Sequence, residues 1–162
     1  MLNDRQQTLT TAVTQNRQMI LDAERHIWAH PETGYREWVT GAYLADLFSS
    51  FGYALIQAGD IPGFYVDLDT GKPGPKILLL GELDALVCPT HHQAVQGKAH
   101  ACGHHAQCAA LAGVAAALKT PGVLDDLCGS IRLMIVPAEE LIEIEYRESL
   151  REQGVIRYYG GK

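Results

Sequence analysis

Two short apolar runs, KILLLG at 76–81 and SIRLMIVP at 130–137, constrain this chain more than any other feature. After its lysine the first is a continuous apolar stretch, the pattern of a strand buried on both faces. Between the two lies the alanine-rich segment HAQCAALAGVAAALK, residues 105–119, a strong helix former closed by Pro121 and Gly122. Strand, helix, strand in that order implies a crossover and an α/β sheet. Upstream, Leu9, Val13, Ile20, Ala23 and Ile27 recur at three-, four- and seven-residue spacings and predict one long amphipathic helix. It should end near Ala29, because the residue before Pro31 is pushed out of the helical region. After the turn PETG a second helix is expected over 37–50, with Trp38, Ala42, Leu44, Leu47 and Phe51 as its buried stripe and Gly52 as its stop. YALIQA (53–58) and GFYVDLD (63–69) read as short strands, 87–103 as a polar loop, and 143–154 as a charged, exposed helix.

The 162 residues are 47% hydrophobic and 20% charged, values of an ordinary globular domain that argue against a disordered chain or a coiled coil. A net charge of −6 leaves no basic patch, so nucleic acid is not an expected partner. The polar N-terminus and the short apolar runs predict neither an export signal nor a membrane span, which points to the cytoplasm. Cys88, Cys102, Cys108 and Cys128 lie far apart without a CxxC pair, so they read as thiols or a metal ligand rather than a disulfide framework.

In open α/β sheets, ligands bind beyond the carboxyl ends of the strands. GELDAL leaves one apolar strand and brings Glu82 and Asp84 to that end; PAEE leaves the other and brings Glu139 and Glu140. HACGHH, with His100, Cys102, His104 and His105, opens the alanine-rich helix. Imidazole, thiolate and carboxylate are zinc ligands, and imidazole with carboxylate also suits manganese, cobalt or nickel. The glycine between Cys102 and His104 allows a bend that points both side chains at one ion. Taken singly, each feature is ordinary: a Glu-Glu pair is usually solvated, Asp84 reads equally as a helix cap, and Cys88, Cys108 and Cys128 read as small buried residues. His26, His91 and His92 read as structural or exposed, and His30 as a turn residue. Only the joint occurrence of the three clusters points to a site.

The succession PETGYREW, GELDAL, HACGHHAQCAAL and PAEE resembles the amidohydrolase branch of the zinc aminoacylase–carboxypeptidase metallopeptidases, the branch that includes hippurate hydrolase, plant auxin–amino acid conjugate hydrolases and p-aminobenzoyl-glutamate hydrolase. The resemblance implies Cys102, His104 and Glu140 as metal ligands, Glu139 as the general base, and Asp84 as the carboxylate supporting the site from behind. It implies a divalent metal, zinc foremost with manganese, cobalt or nickel as alternatives. The implied reaction is hydrolysis of an amide in an N-acyl amino acid or small peptide-like conjugate. Three positions depart from the commonest pattern: His105 and Gln107 stand where an aspartate and a histidine are usual, and Glu82 replaces a frequent aspartate. The family also implies downstream histidine ligands, yet no histidine follows Glu140. Residues 1–162 are therefore expected to be the N-terminal portion of one metallopeptidase-like catalytic domain, an α/β three-layer sandwich with a mixed, mainly parallel sheet, lacking an inserted smaller domain and the C-terminal part. Such a chain is expected either to self-associate through uncovered strand edges or to be the ordered part of a longer enzyme, and by itself to show weak or no turnover. The rival reading is a non-catalytic metal-binding or assembly module derived from such a hydrolase. A thiol redox protein built on Cys102 is disfavoured by the missing CxxC partner.

Overall fold

The computed structural model describes residues 3–161. Helix α1 (Asp4–Gln15) is opened by a capping box in which Asn3 and Gln6 exchange side-chain and main-chain bonds, and helix α2 (Arg17–Ala29) follows almost at once. The single helix expected over this stretch is thus two. Asn16 interrupts it: its side-chain amide donates to the Ala12 carbonyl at 2.8 Å and its main-chain N–H to that of Val13. The break changes which residues face inward, so Ala12 is buried while Leu9 and Val13 are exposed. Helix α3 (Trp38–Ser50) matches the expected span but buries Thr40, Gly41, Leu44 and Phe48, leaving Trp38 and Ala42 outside. Gly52, at φ 79°, takes the left-handed turn expected of a stop.

Strands β1 (Ile56–Gln57), β2 (Phe64–Asp69) and β3 (Lys76–Glu82) precede a small ribbon of β4 (Leu86–Val87) and β5 (Lys98–Ala99), which forms inside the expected polar loop. Helix α4 (His104–Leu118), strand β6 (Ser130–Val136) and helix α5 (Ile144–Glu152) complete the order. The main sheet runs β1-β2-β6-β3. It is mixed, as expected, although among the described residues only β3–β6 is parallel, whereas β1–β2 and β2–β6 are antiparallel. The parallel pair is the one joined by the long crossover through α4, which is the connection parallel strands require.

Phe64, Val66, Leu133 and Ile135 point from the sheet into one core with Ile27, Leu44 and Phe48 of the helices. At Gly81 and Gly113 the backbones come close: a Cβ at Gly81 would lie 3.1 Å from Leu111, and one at Gly113 would lie 2.6 Å from Ile20. Helices α1–α4 gather on this face, whereas α5 packs in a separate cluster with Tyr35, Ala138 and Ile156. The opposite face presents Tyr65, Asp67 and Arg132, where Arg132 pairs with Asp67 at 2.6 Å and lies over the Tyr65 ring, and no helix layer covers it among the described residues.

KILLLG departs from its expected burial. β3 is the sheet's edge among the described residues, and α4 crosses it at the Gly81 end, so Ile77 and Leu78 remain 53% and 51% exposed. No helix of the described residues is long and apolar enough to cross a membrane.

Candidate metal centre

The parallel register of β3 and β6 sets Glu82 opposite Val136, so both strands deliver their exits to one end of the sheet. Leu83 N–H extends the ladder by donating to the Val136 carbonyl at 2.9 Å. The N-terminus of α4 arrives at the same end, with Gly103 at φ 101° as its cap, a left-handed conformation that glycine adopts without strain. At the β6 exit Ala138 takes φ 56°, which turns the chain sharply before Glu139 and Glu140.

These turns bring the expected residues together. Ligand atoms of Cys102, His104 and Glu140 lie within 4.8 Å of one another, and so do those of Glu82, His104 and Glu139. One ion with bonds of about 2.0–2.3 Å spans or nearly spans such separations. Asp84 is buried behind them. Its main-chain carbonyl is 2.9 Å and its Oδ1 3.2 Å from His104 Nδ1, while its Oδ2 accepts the Glu140 N–H at 2.8 Å. A proton held on Nδ1 by these acceptors leaves the Nε2 lone pair for the cluster. Nε2 is 3.2 Å from Glu82 Oε2 and 3.8 Å from Glu139 Oε2.

The electrostatics are those of a cation cradle. The Asp84 carboxylate on Nδ1 lifts the His104 imidazole to about 9, against the opposing effect of burial. Burial pushes Asp84 upward, but the bonds from His104 and from the Glu140 and Glu139 amides outweigh it and hold its carboxyl below its ordinary value. The Glu140 carboxylate beside the Cys102 thiol, aided by burial, pushes that thiol up to about 11. The raised His104 and Cys102, beside an ionised Asp84, describe an anionic site holding protons that a divalent ion would displace. Thiolate, imidazole and carboxylate together fit zinc well.

Further residues support or flank the two donor groups. Gln107 Oε1 accepts the Glu82 N–H at 3.0 Å and the buried Cys108 thiol donates to the Glu82 carbonyl at 2.9 Å, so the peptide of Glu82 is held from both sides. His105 turns away to Glu24, 3.3 Å distant, and stacks edge-on against Trp28. His100 is buried beside His105, and burial drives it down to about 4, leaving a neutral ring outside both donor groups. Glu37 and Arg147, which are not among the expected site residues, are both buried against the PAEE turn. Arg147 sits in a helix whose composition reads as solvated throughout, so sequence offers no signal for it. Cys88, Cys102, Cys108 and Cys128 are all free.

A sequence profile of Peptidase family M20/M25/M40 matches residues 64–153. The chain belongs to this family. It is 32% identical over 126 residues to the N-acetyl-L-cysteine deacetylase of Bacillus subtilis (strain 168), covering 75% of this chain and 30% of that protein. It is 31% identical over 138 residues to one of the subunits of p-aminobenzoyl-glutamate hydrolase from Escherichia coli (strain K12), covering 80% of this chain and 28% of that protein. The YXEP protein of Bacillus subtilis, a dinuclear metal binding peptidase of the M20 family, superposes with a TM-score of 0.68 at 24% identity over 85% of this chain and 39% of that one, which establishes the shared fold. The chain thus spans about 30% of the length of these two curated relatives.

Zinc affinity is expected to rise with pH between 6 and 9, because His104, raised to about 9, and Cys102, raised to about 11, must each release a proton to coordinate. Titration in a weakly buffered indicator should register that proton release; a pH-independent affinity without it would contradict the ligand assignment.

Proposed function

We propose that this M20 chain carries the metal-binding half of an amidohydrolase site that acts on N-acyl amino acids or small peptide-like conjugates. The observation that carries the reading is the convergence of Cys102, His104 and Glu140 within 4.8 Å, with Glu139 at the same imidazole. The names of the deacetylase and the aminobenzoyl-glutamate hydrolase supply the substrate class, since both describe cleavage of an amide.

In this reading Cys102 Sγ, His104 Nε2 and a Glu140 oxygen hold a divalent ion, zinc first among the candidates. Such an ion supplies Lewis acidity, polarising the amide carbonyl and acidifying water. Asp84 keeps the proton on His104 Nδ1 and, by accepting the Glu140 N–H, sets the main chain from which Glu140 projects. Glu139 is placed on the same side and is half-buried, so its carboxylate takes the proton of the attacking water and returns it to the leaving amine. Glu82 faces the same nitrogen and serves as a further donor. The free thiols suit a reducing cytoplasm.

We further propose that residues 1–162 form part of a larger catalytic domain and that the open β3 edge, with Ile77 and Leu78 outward, drives self-association when nothing else covers it.

In a panel of N-acyl amino acids, metal-dependent turnover is expected to fall about 10²–10⁴-fold in Glu139→Gln with zinc stoichiometry unchanged. Stoichiometric zinc with a function that Glu139→Gln leaves unchanged would instead favour the non-catalytic metal-binding module. By light scattering the chain should exceed its 17.7 kDa monomer mass; a compact monomer contradicts the self-association.

A further inference from the structure

The PAEE turn is held in a way that the metal-site residues alone do not explain. Ala138 is fully buried at φ 56°, a left-handed conformation that a residue with a Cβ keeps only where its surroundings enforce it. Both sides of this residue are gripped by ionisable side chains that are themselves buried. Glu37 Oε1, from the start of α3, accepts the Ala138 N–H at 2.8 Å. Arg147, in α5 and 0% exposed, donates from Nη1 to the Ala138 carbonyl at 3.4 Å and to the Tyr159 carbonyl at 2.7 Å, and from Nη2 to the Glu140 carbonyl.

The guanidinium therefore brackets Glu139, bonding the carbonyl before it and the carbonyl after it. Its planar fork can meet both at once; the single ammonium of a lysine, a point donor on a flexible stem, cannot hold the same spacing. The PETG turn leaves room for it. A Cβ at Gly34 would stand 2.5 Å from Arg147 Nη2 and 3.1 Å from the Ala138 Cα, so only glycine lets the guanidinium lie where it does. The Tyr35 ring lies 5.7 Å from the guanidinium carbon, and its hydroxyl donates to the Tyr158 carbonyl at 3.0 Å. A fully buried arginine is costly to keep, and here its bonds go to the main chain of the very turn that aims two carboxylates.

We propose that Arg147 and Glu37 are positioning residues that clamp the Ala138 turn, with Gly34 leaving space for the clamp, and so aim Glu139 and Glu140 at the imidazole of His104. The proposal rests on the reading that Cys102, His104 and Glu140 hold a metal.

Cobalt(II) provides the test, because a bound Cys102 thiolate gives a sulfur-to-cobalt charge-transfer band independent of any turnover. The metal-stripped chain is titrated with Co²⁺ alongside Arg147→Lys, Arg147→Ala, Gly34→Ala, Glu37→Gln and Glu37→Leu, at a temperature where circular dichroism shows the variant folded. Arg147→Lys, Gly34→Ala and Glu37→Leu are expected to bind Co²⁺ about 10–100-fold more weakly, with the thiolate band still reached at saturation. Glu37→Gln, which retains an acceptor oxygen for the Ala138 N–H, should stay near the wild type. Should Arg147→Ala fail to fold, Arg147→Lys and Gly34→Ala still decide. A role in stability alone would lower the melting temperatures and leave the Co²⁺ affinities unchanged, which overturns the clamp. Absence of the thiolate band in the wild type overturns the metal reading, and the clamp with it.

Discussion

Asp84 is the point on which the arrangement of this site depends. It leaves β3, its carbonyl and Oδ1 engage His104 at the start of α4, and its Oδ2 accepts the amide of Glu140 beyond β6. One buried carboxylate thus ties three segments that are distant in sequence. The desolvation of that carboxylate is offset by those bonds, which hold it ionised and hold the imidazole protonated on Nδ1. The sheet prepares the ground: parallel pairing of β3 and β6 already brings the two strand exits to the same end, and Asp84 only has to lock them in place.

The donors then divide around a single imidazole. Cys102 and Glu140 approach it in one group, Glu82 and Glu139 in the other. Each is held by its own backbone support. Gly103 turns Cys102 toward His104, Gln107 and Cys108 hold the peptide of Glu82, and Glu37 with Arg147 holds the turn before Glu139. Gln107 stands where the family more often has a histidine, and its amide oxygen fixes the main chain of Glu82.

Much of this was legible in the sequence because it is local. The apolar runs, the alanine-rich helix and the glycine stop at Gly52 follow from periodicity and backbone sterics, and the donors follow from motifs at strand exits. What escaped depends on tertiary context. A one-residue break at Asn16 turned Leu9 and Val13 outward, although their spacing with Ile20 fits a single helix. KILLLG reads as a doubly buried strand, yet burial also needs neighbours, and β3 has only β6 beside it among the described residues. Arg147 was hidden among the charges of IEYRESLRE, since nothing in composition distinguishes a solvated arginine from one wrapped by carbonyls. Glu37 looked like the first residue of a helix and proved to be an acceptor for a distant turn, burial pushing its carboxyl up to about 8.

In the proposed site the thiol of Cys102 and the imidazole of His104 share one ion with Glu140. X-ray absorption at the zinc edge, recorded on the chain loaded with one equivalent of zinc, tests it most directly. One sulfur at about 2.3 Å with nitrogen and oxygen neighbours at about 2.0–2.2 Å is expected, the sulfur being lost in Cys102→Ser. A shell of nitrogen and oxygen alone in the wild type would contradict it.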